Sequence, residues 1–147
     1  MDTQQTVGVT SPDNILVSVT LANGGVASVH VASNPWAGSG YRMEIDGRAG
    51  TLVVTSEESP NHDGLRLQGV RGGHSLEDLE VPGTYTAVPA GMPRGAPYNV
   101  GQMYAQFGQG IRSGAHCQPD FTTAVALHRV LDTIQDASVQ GRAVAIG

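Results

Sequence analysis

The chain has 147 residues and a formal net charge of −5 at pH 7, with 13 acidic residues against 8 basic ones. A chain of this length usually forms one domain and can build a hydrophobic core without disulfides or metals. It has no basic cluster that could contact phosphates, which argues against nucleic-acid binding. All eight basic residues are arginine, which excludes any mechanism that needs a lysine.

The cysteine content and the first residues of the chain indicate in which cellular compartment the protein is expected. Cys117 is the single cysteine, so an internal disulfide is excluded. Residues 1–5 are polar and carry neither the basic nor the apolar segment of a secretion signal. No apolar run approaches the ~18–20 residues that a membrane-spanning helix needs. We therefore expect a cytoplasmic protein.

The first part of the chain predicts a β-hairpin. Residues 14–21 alternate between the two faces of a strand, and Asn23-Gly24 predicts a two-residue type I′ turn. In the register set by that turn, Leu16 pairs with Val31, and both faces of the hairpin are partly apolar. A sheet that is apolar on both faces must be covered twice, which is a first indication of a self-associating surface.

Further alternating runs predict more strands, and a segment rich in proline and glycine predicts an irregular connection. The expected strands cover residues 41–45 and 51–55 as a second hairpin, 65–70, a short strand within 76–81 and an edge strand at 142–146, with the connection at 82–97.

Two helices are expected in the last third of the chain. Asn99 can cap the first, with Gln102 at the capping-box position, and Asp120 can cap the second. The apolar residues of each helix form a stripe expected to face a core. We therefore predict one α+β domain over residues 1–147, with a mostly antiparallel open sheet and helices packed on one face. The first stripe comprises Val100, Met103, Tyr104, Phe107 and Ile111; the second comprises Phe121, Ala124, Val125, Leu127, Leu131 and Ile134.

Several groups of residues resemble sites but are better explained by structure. The glycine-rich run at 108–114 closes a helix, whereas a dinucleotide fingerprint must open one. His116, Cys117 and Asp120 lack further ligands for a metal, and a loop before a capped helix accounts for them. His30 and His128 are expected to be structural, and Glu77, Asp78 and Glu80 to form a solvated acidic face, not an opposed pair for glycosidase chemistry.

One loop remains as a candidate site. Trp36, Ser39 and Tyr41 frame a glycine-containing loop between two predicted strands. An aromatic residue on such a loop can form an interface, stack on a ligand such as a sugar, or pack locally. We mark these three residues as a substrate-pocket or interface site.

The order of these elements resembles the C-terminal domain of the Gfo/Idh/MocA oxidoreductases, over roughly residues 10 to 146. Two hairpin motifs and the last helix, which ends in a serine and a glycine, carry the resemblance. They are Leu21-Ala22-Asn23-Gly24; Glu44-Ile45-Asp46-Gly47-Arg48-Ala49-Gly50-Thr51-Leu52; and Pro119-Asp120-Phe121 followed by Ala124, His128, Val130-Leu131, Ile134, Ser138 and Gly141.

The resemblance implies a substrate-side domain without catalytic residues of its own. Members of that family join a Rossmann domain that binds NAD or NADP to a C-terminal domain whose open sheet face often contacts a neighbouring subunit. This chain lacks the phosphate loop and the family's catalytic lysine. The resemblance therefore implies no catalytic, cofactor-binding or metal residue here, a homodimer or larger assembly, and a sugar or cyclitol substrate for a complete enzyme. The alternatives are a non-catalytic regulatory or ligand-binding module, and a small independent enzyme using His116, Cys117 and Asp120.

Overall fold

The computed structural model describes residue 6 and residues 8–33, 35–61 and 64–146, so the polar segment 1–5 lies outside the described residues. Its strands form two antiparallel sheets, of two and four strands, and two long helices follow them. The predicted α+β class with an open antiparallel arrangement is confirmed. The chain divides into two compact units. One contains the residues up to Gly38 and from Val130 onward, and the other runs from Ser39 to Arg129.

The first unit contains the predicted hairpin, in a register one residue away from the expected one. Strand β1 is Asn14–Thr20 and strand β2 is Val26–Ala32. Leu16 pairs with His30 and not with Val31, so the predicted register is wrong.

The turn explains this shift. The backbone N–H of Gly24 donates to the carbonyl of Leu21 at 2.9 Å, so the turn centres on Ala22 and Asn23 and not on Asn23 and Gly24. Gly24 follows with φ of 82°, a left-handed conformation that glycine adopts without strain. The side chain of Asn23 accepts from the N–H of Gly25 at 3.0 Å. A turn followed by a left-handed glycine is the usual form of a three-residue hairpin loop.

The corrected register changes the character of the hairpin. Directly paired residues share a face, so one face is wholly apolar and the other is polar apart from Leu16, Val26 and Ala32. Apolar residues thus remain on both faces, as expected, but the predicted pair of Leu16 with Val31 does not form and most of the apolar side chains share one face. The apolar face comprises Ile15, Val17, Val19, Ala27, Val29 and Val31.

The second unit contains a four-stranded sheet in the order β3-β4-β5-β6. Here β3 is Tyr41–Gly47, β4 is Gly50–Ser56, β5 is Arg66–Val70 and β6 is Glu77–Asp78. The predicted second hairpin and third strand are confirmed, and the weak strand within 76–81 is reduced to two residues. Residues 142–146 form no strand, so that prediction is wrong.

Helix α1 spans Ala96–Ser113 and begins earlier than expected. Gly95 occupies the N-cap position, and a proline lies in the first turn, where its missing N–H is no loss. Asn99 therefore does not cap the helix, and the capping-box prediction is wrong. The side chain of Gln102 instead accepts from the N–H of Ala87 at 2.6 Å and donates to the carbonyl of Tyr85 at 3.1 Å. These bonds fasten α1 to the connection that precedes it.

Helix α2 spans Phe121–Gln140, and its predicted cap is confirmed. A side-chain oxygen of Asp120 accepts from the backbone N–H of Thr123 at 2.8 Å. This is the bond by which an aspartate satisfies an otherwise unpaired N–H in the first helical turn. Gly141 follows the helix with φ of 62°, the usual left-handed stop.

The hydrophobic core is small. Among the described residues, Val53 and Val88 are the buried hydrophobic side chains. The α1 residues expected to face a core lie between 49% and 68% exposed, and Phe121 at the start of α2 is 91% exposed. The first predicted stripe therefore does not face a core within its own unit, and neither does Phe121. Large apolar surfaces are left for contact with something else.

Candidate functional site

The loop marked from the sequence presents its tryptophan to solvent. Trp36 is fully exposed and belongs to the first unit, whereas Ser39 and Tyr41 belong to the second. Gly40 has φ of 75°, and a Cβ atom there would lie 2.2 Å from the carbonyl oxygen of Ser56. Glycine is therefore required where the loop joins β3. The loop role of all three marked residues stays a prediction.

Tyr41 lies at the edge of an apolar sheet surface. It is half-buried, and its hydroxyl donates weakly to the sulfur of Met43 at 3.5 Å. The two residues lie on the same face of β3, two positions apart. Tyr41 thus contributes to a sheet surface, and among the described residues the sulfur of Met43 is the hydrogen-bond partner of its hydroxyl.

This surface, which we call the open face, is one whole side of the four-stranded sheet. Four of its side chains are each between 39% and 55% exposed, whereas Val53 on the opposite side is 2% exposed. The four are Met43, Ile45, Leu52 and Leu79. A Cβ atom on Gly69 would come within 3.0 Å of the Leu52 and Leu79 side chains, so the glycine lets the two leucines meet above β5. The open face comprises Tyr41, Met43, Ile45, Leu52, Val54, Leu67, Gly69 and Leu79, with the polar residues Ser56 and Glu77 at its margins.

The opposite side of the sheet carries paired charges. Arg66 contacts Asp78 through two hydrogen bonds, of 2.7 and 3.0 Å, and Arg42 pairs with Glu44. The bonds from Arg66 hold the pKa of Asp78 below its ordinary value and raise the pKa of the guanidinium. Asp78 is thus committed to an ion pair and does not form a reactive carboxylate pair with Glu77.

A cleft lies between the end of α1 and the start of α2. Cys117 is half-buried, and its sulfur lies 3.5 Å from the carbonyl oxygen of Gln106 in α1. Asp120 uses its carboxylate on the cap, and His116 lines the same cleft. The three residues are neighbours, as the sequence indicated, but they serve the loop and the cap. Apolar side chains dominate the cleft walls, chiefly Phe107, Ile111, Phe121, Ala124 and Leu127.

The cap at Asp120 makes a pH-dependent contribution to stability. The bond from the N–H of Thr123, followed by that from its hydroxyl, lowers the pKa of Asp120 from its ordinary value. A lowered folded-state pKa stabilises the fold above the unfolded pKa, and this contribution is lost as pH falls through the folded pKa. We expect the melting temperature of wild type to fall from about pH 5 downward, because aspartate titrates near ~3.9 when unfolded.

The control for this effect is Asp120→Asn. Asparagine accepts the same cap hydrogen bond but does not titrate. Thermal unfolding followed by circular dichroism at several pH values should give a shallower loss of stability for the variant. Superimposable pH profiles for the two proteins would contradict a titrating cap.

The glycine run at 108–114 does not have the geometry of a phosphate-binding turn. Gly108 and Gly110 lie inside α1 and Gly114 ends it, so the glycine run presents no helix N-terminus to a phosphate. Within the described ranges, no group of three His, Cys, Asp or Glu side chains could hold a metal ion. No helix in those ranges is long and apolar enough to cross a membrane.

The fold is α+β, and the open face and one side of α1 are exposed apolar surfaces. Over 83 residues the chain is 31% identical to an uncharacterized oxidoreductase of Synechocystis sp.. The similar segment covers 56% of this chain and 22% of the Synechocystis protein, so the chain corresponds to a minor part of that relative. No protein-family model and no solved structure matches the chain. The comparison relates it to an oxidoreductase, a coarser class than the family that the motifs suggested.

Proposed function

We propose that this chain is the substrate-side and oligomerisation domain of a sugar or cyclitol oxidoreductase that uses NAD or NADP, of the Gfo/Idh/MocA type, and that it is not catalytic alone. The similarity to the Synechocystis oxidoreductase carries the proposal. The hairpin and last-helix motifs support the finer family assignment. In this proposal the cofactor binds to another part of the enzyme, because the glycine run at 108–114 closes a helix and does not open one.

The open face supports the assembly role. Its central residues are apolar and exposed, whereas charged side chains on the other side of the sheet are paired with one another. Exposed apolar surface of this kind is typical of a protein interface, whereas scattered single hydrophobic residues are not. In the proposal, a second copy packs its own open face against this one, and the loop residues Trp36, Ser39 and Tyr41 contribute to a substrate pocket or to an interface.

We expect the chain to self-associate in solution through the open face. Ile45 is 54% exposed in the middle of that face, so Ile45→Glu would place a charge where two sheets meet and should lower the mass measured by light scattering. Thr55→Glu is the matched control, because Thr55 lies on the polar side opposite Arg66 in the strand pairing. An equal loss of mass in both variants would contradict an interface at the open face.

The same preparations separate this function from its alternatives. When the chain is incubated with NAD or NADP and a panel of sugars and cyclitols, we expect no formation of reduced cofactor. Robust turnover would contradict the proposal and favour a small independent enzyme. A stable complex with a protein that lacks any cofactor site would instead favour the non-catalytic regulatory module.

A further inference from the structure

Helix α1 places its small residues inward and its large apolar residues outward. Gly101 and Ala105 are half-buried, whereas the five apolar residues on the other side, which we call the α1 stripe, are each about half exposed or more. The α1 stripe comprises Val100, Met103, Tyr104, Phe107 and Ile111.

The contacts on the inner side fix this orientation. Besides the two hydrogen bonds of Gln102 to the preceding connection, the side chain of Asn99 donates to the carbonyl of Asn61 at 2.8 Å. A Cβ atom on Gly101 would lie 2.8 Å from the end of Met92 and 3.2 Å from Val88, so the helix backbone sits close to the connection. Turning the stripe inward would break these contacts, and the stripe therefore needs a cover from outside its unit.

We infer that a second copy of this chain covers the α1 stripe, through an antiparallel pairing of the two α1 helices across a two-fold axis. This surface is separate from the open face, and the inference does not rest on the proposed enzymatic role. An isologous contact requires a self-complementary pattern, in which residue i meets residue j and j meets i.

The stripe has such a pattern. About an axis between Ala105 and Gln106, Val100 of one copy meets Ile111 of the other, and Tyr104 meets Phe107. The side chains at the two ends of the pairing are thus β-branched and those in the middle are aromatic. The contact is therefore self-complementary. Helix residues three and four apart share a face, which keeps the stripe continuous along about three turns.

The charge and the exposed area of the α1 stripe both favour a second copy of this chain as its partner. Arg112 is the one charged residue of α1, and it lies outside the stripe, so pairing two copies buries no charge there. The stripe and Phe121, which lines the same cleft as Phe107 and Ile111, expose on the order of 800 Å² together. Complete burial of this surface would match the ~800 Å² that each partner contributes to a standard interface.

The test is Tyr104→Glu, at the centre of the proposed pairing. The residue is 65% exposed and has no part in the inner contacts, so glutamate, a good helix former, leaves the fold intact. We expect sedimentation velocity to show self-association weakened on the order of 30-fold, as for loss of an aromatic at the centre of an interface. Gln106→Glu adds the same charge to the same helix outside the stripe and should change nothing.

Combination with Ile45→Glu distinguishes the two surfaces. If both operate, wild type forms tetramers, each single variant forms dimers and the double variant is monomeric, because two different isologous contacts generate dihedral symmetry. A mass lowered by Ile45→Glu but not by Tyr104→Glu overturns the stripe inference and leaves the open face standing. The reverse result overturns the open face alone. A wild type that is monomeric at every concentration overturns both.

Discussion

Replacing Gly50 with alanine is expected to destabilise the four-stranded sheet by about 3 kcal/mol, at the upper end of the costs of overpacking. A Cβ atom at this position would lie 2.1 Å from the carbonyl oxygen of Val70 and 3.2 Å from the Cα of Arg71. These are backbone atoms at the end of β5, held in place by the pairing of Thr51 with Val70. They cannot turn aside as a flexible side chain would, so β4 and β5 must separate locally.

Gly47→Ala is the matched control, three residues away in the same hairpin. Its added Cβ would lie 3.7 Å from the carbonyl oxygen of Gly50, an ordinary van der Waals contact. Urea unfolding followed by circular dichroism should therefore give a small change for Gly47→Ala and a large one for Gly50→Ala. Similar losses for both variants would mean that chain flexibility, and not the close approach of Val70, makes glycine necessary at these positions.

The strands were predictable because their signal is local. Alternation of apolar and polar residues marks a strand wherever one face is buried, and it located β1 to β5 to within a few residues. The register of the first hairpin was not predictable from the same signal. Asn23-Gly24 fits both a two-residue turn and a turn one residue earlier with Gly24 left-handed, and the two loops differ by one position in pairing.

The helices show a different limit of sequence reasoning. The cap at Asp120 was predictable because its bond to Thr123 spans three residues. The role of Gln102 was not, since its partners lie 15 and 17 residues away on the preceding connection. The rule that an apolar stripe faces a core also assumes that the covering surface belongs to the same unit. That assumption fails for α1, whose inner side is already occupied.

The candidate surfaces also divide into those that the sequence predicts and those that it does not. Alternation along β3 and β4 predicts an apolar sheet face, and the structure adds that this face stays uncovered. The cleft between α1 and α2 was missed, although its residues lie close together in the chain. It depends on a close approach between Gly110 and Cys117 across the turn at Gly114, and no short motif encodes such a distance.

Gly110→Ala is expected to destabilise the junction of the two helices by roughly 1–3 kcal/mol, through steric overlap. The new Cβ would lie 2.1 Å from the sulfur of Cys117 and 3.1 Å from the carbonyl oxygen of Ala115. Alanine is otherwise the better helix residue, so Gly108→Ala should stabilise by about 0.5–1 kcal/mol. Position 108 is open, with its nearest contact 3.5 Å away at the end of the flexible Arg112 side chain.

Cys117→Ala combined with Gly110→Ala tests the cause. If the sulfur is the obstacle, its removal restores room for the new methyl group, and the double variant should lose less stability than the two single variants together. Additive losses, measured by urea unfolding, would place the strain in the backbone near Ala115 instead. A rescue would assign Cys117 the role of a packing residue that closes the base of the cleft. The thiol would then matter for its volume, and a reactive role would be unnecessary to explain its position against α1.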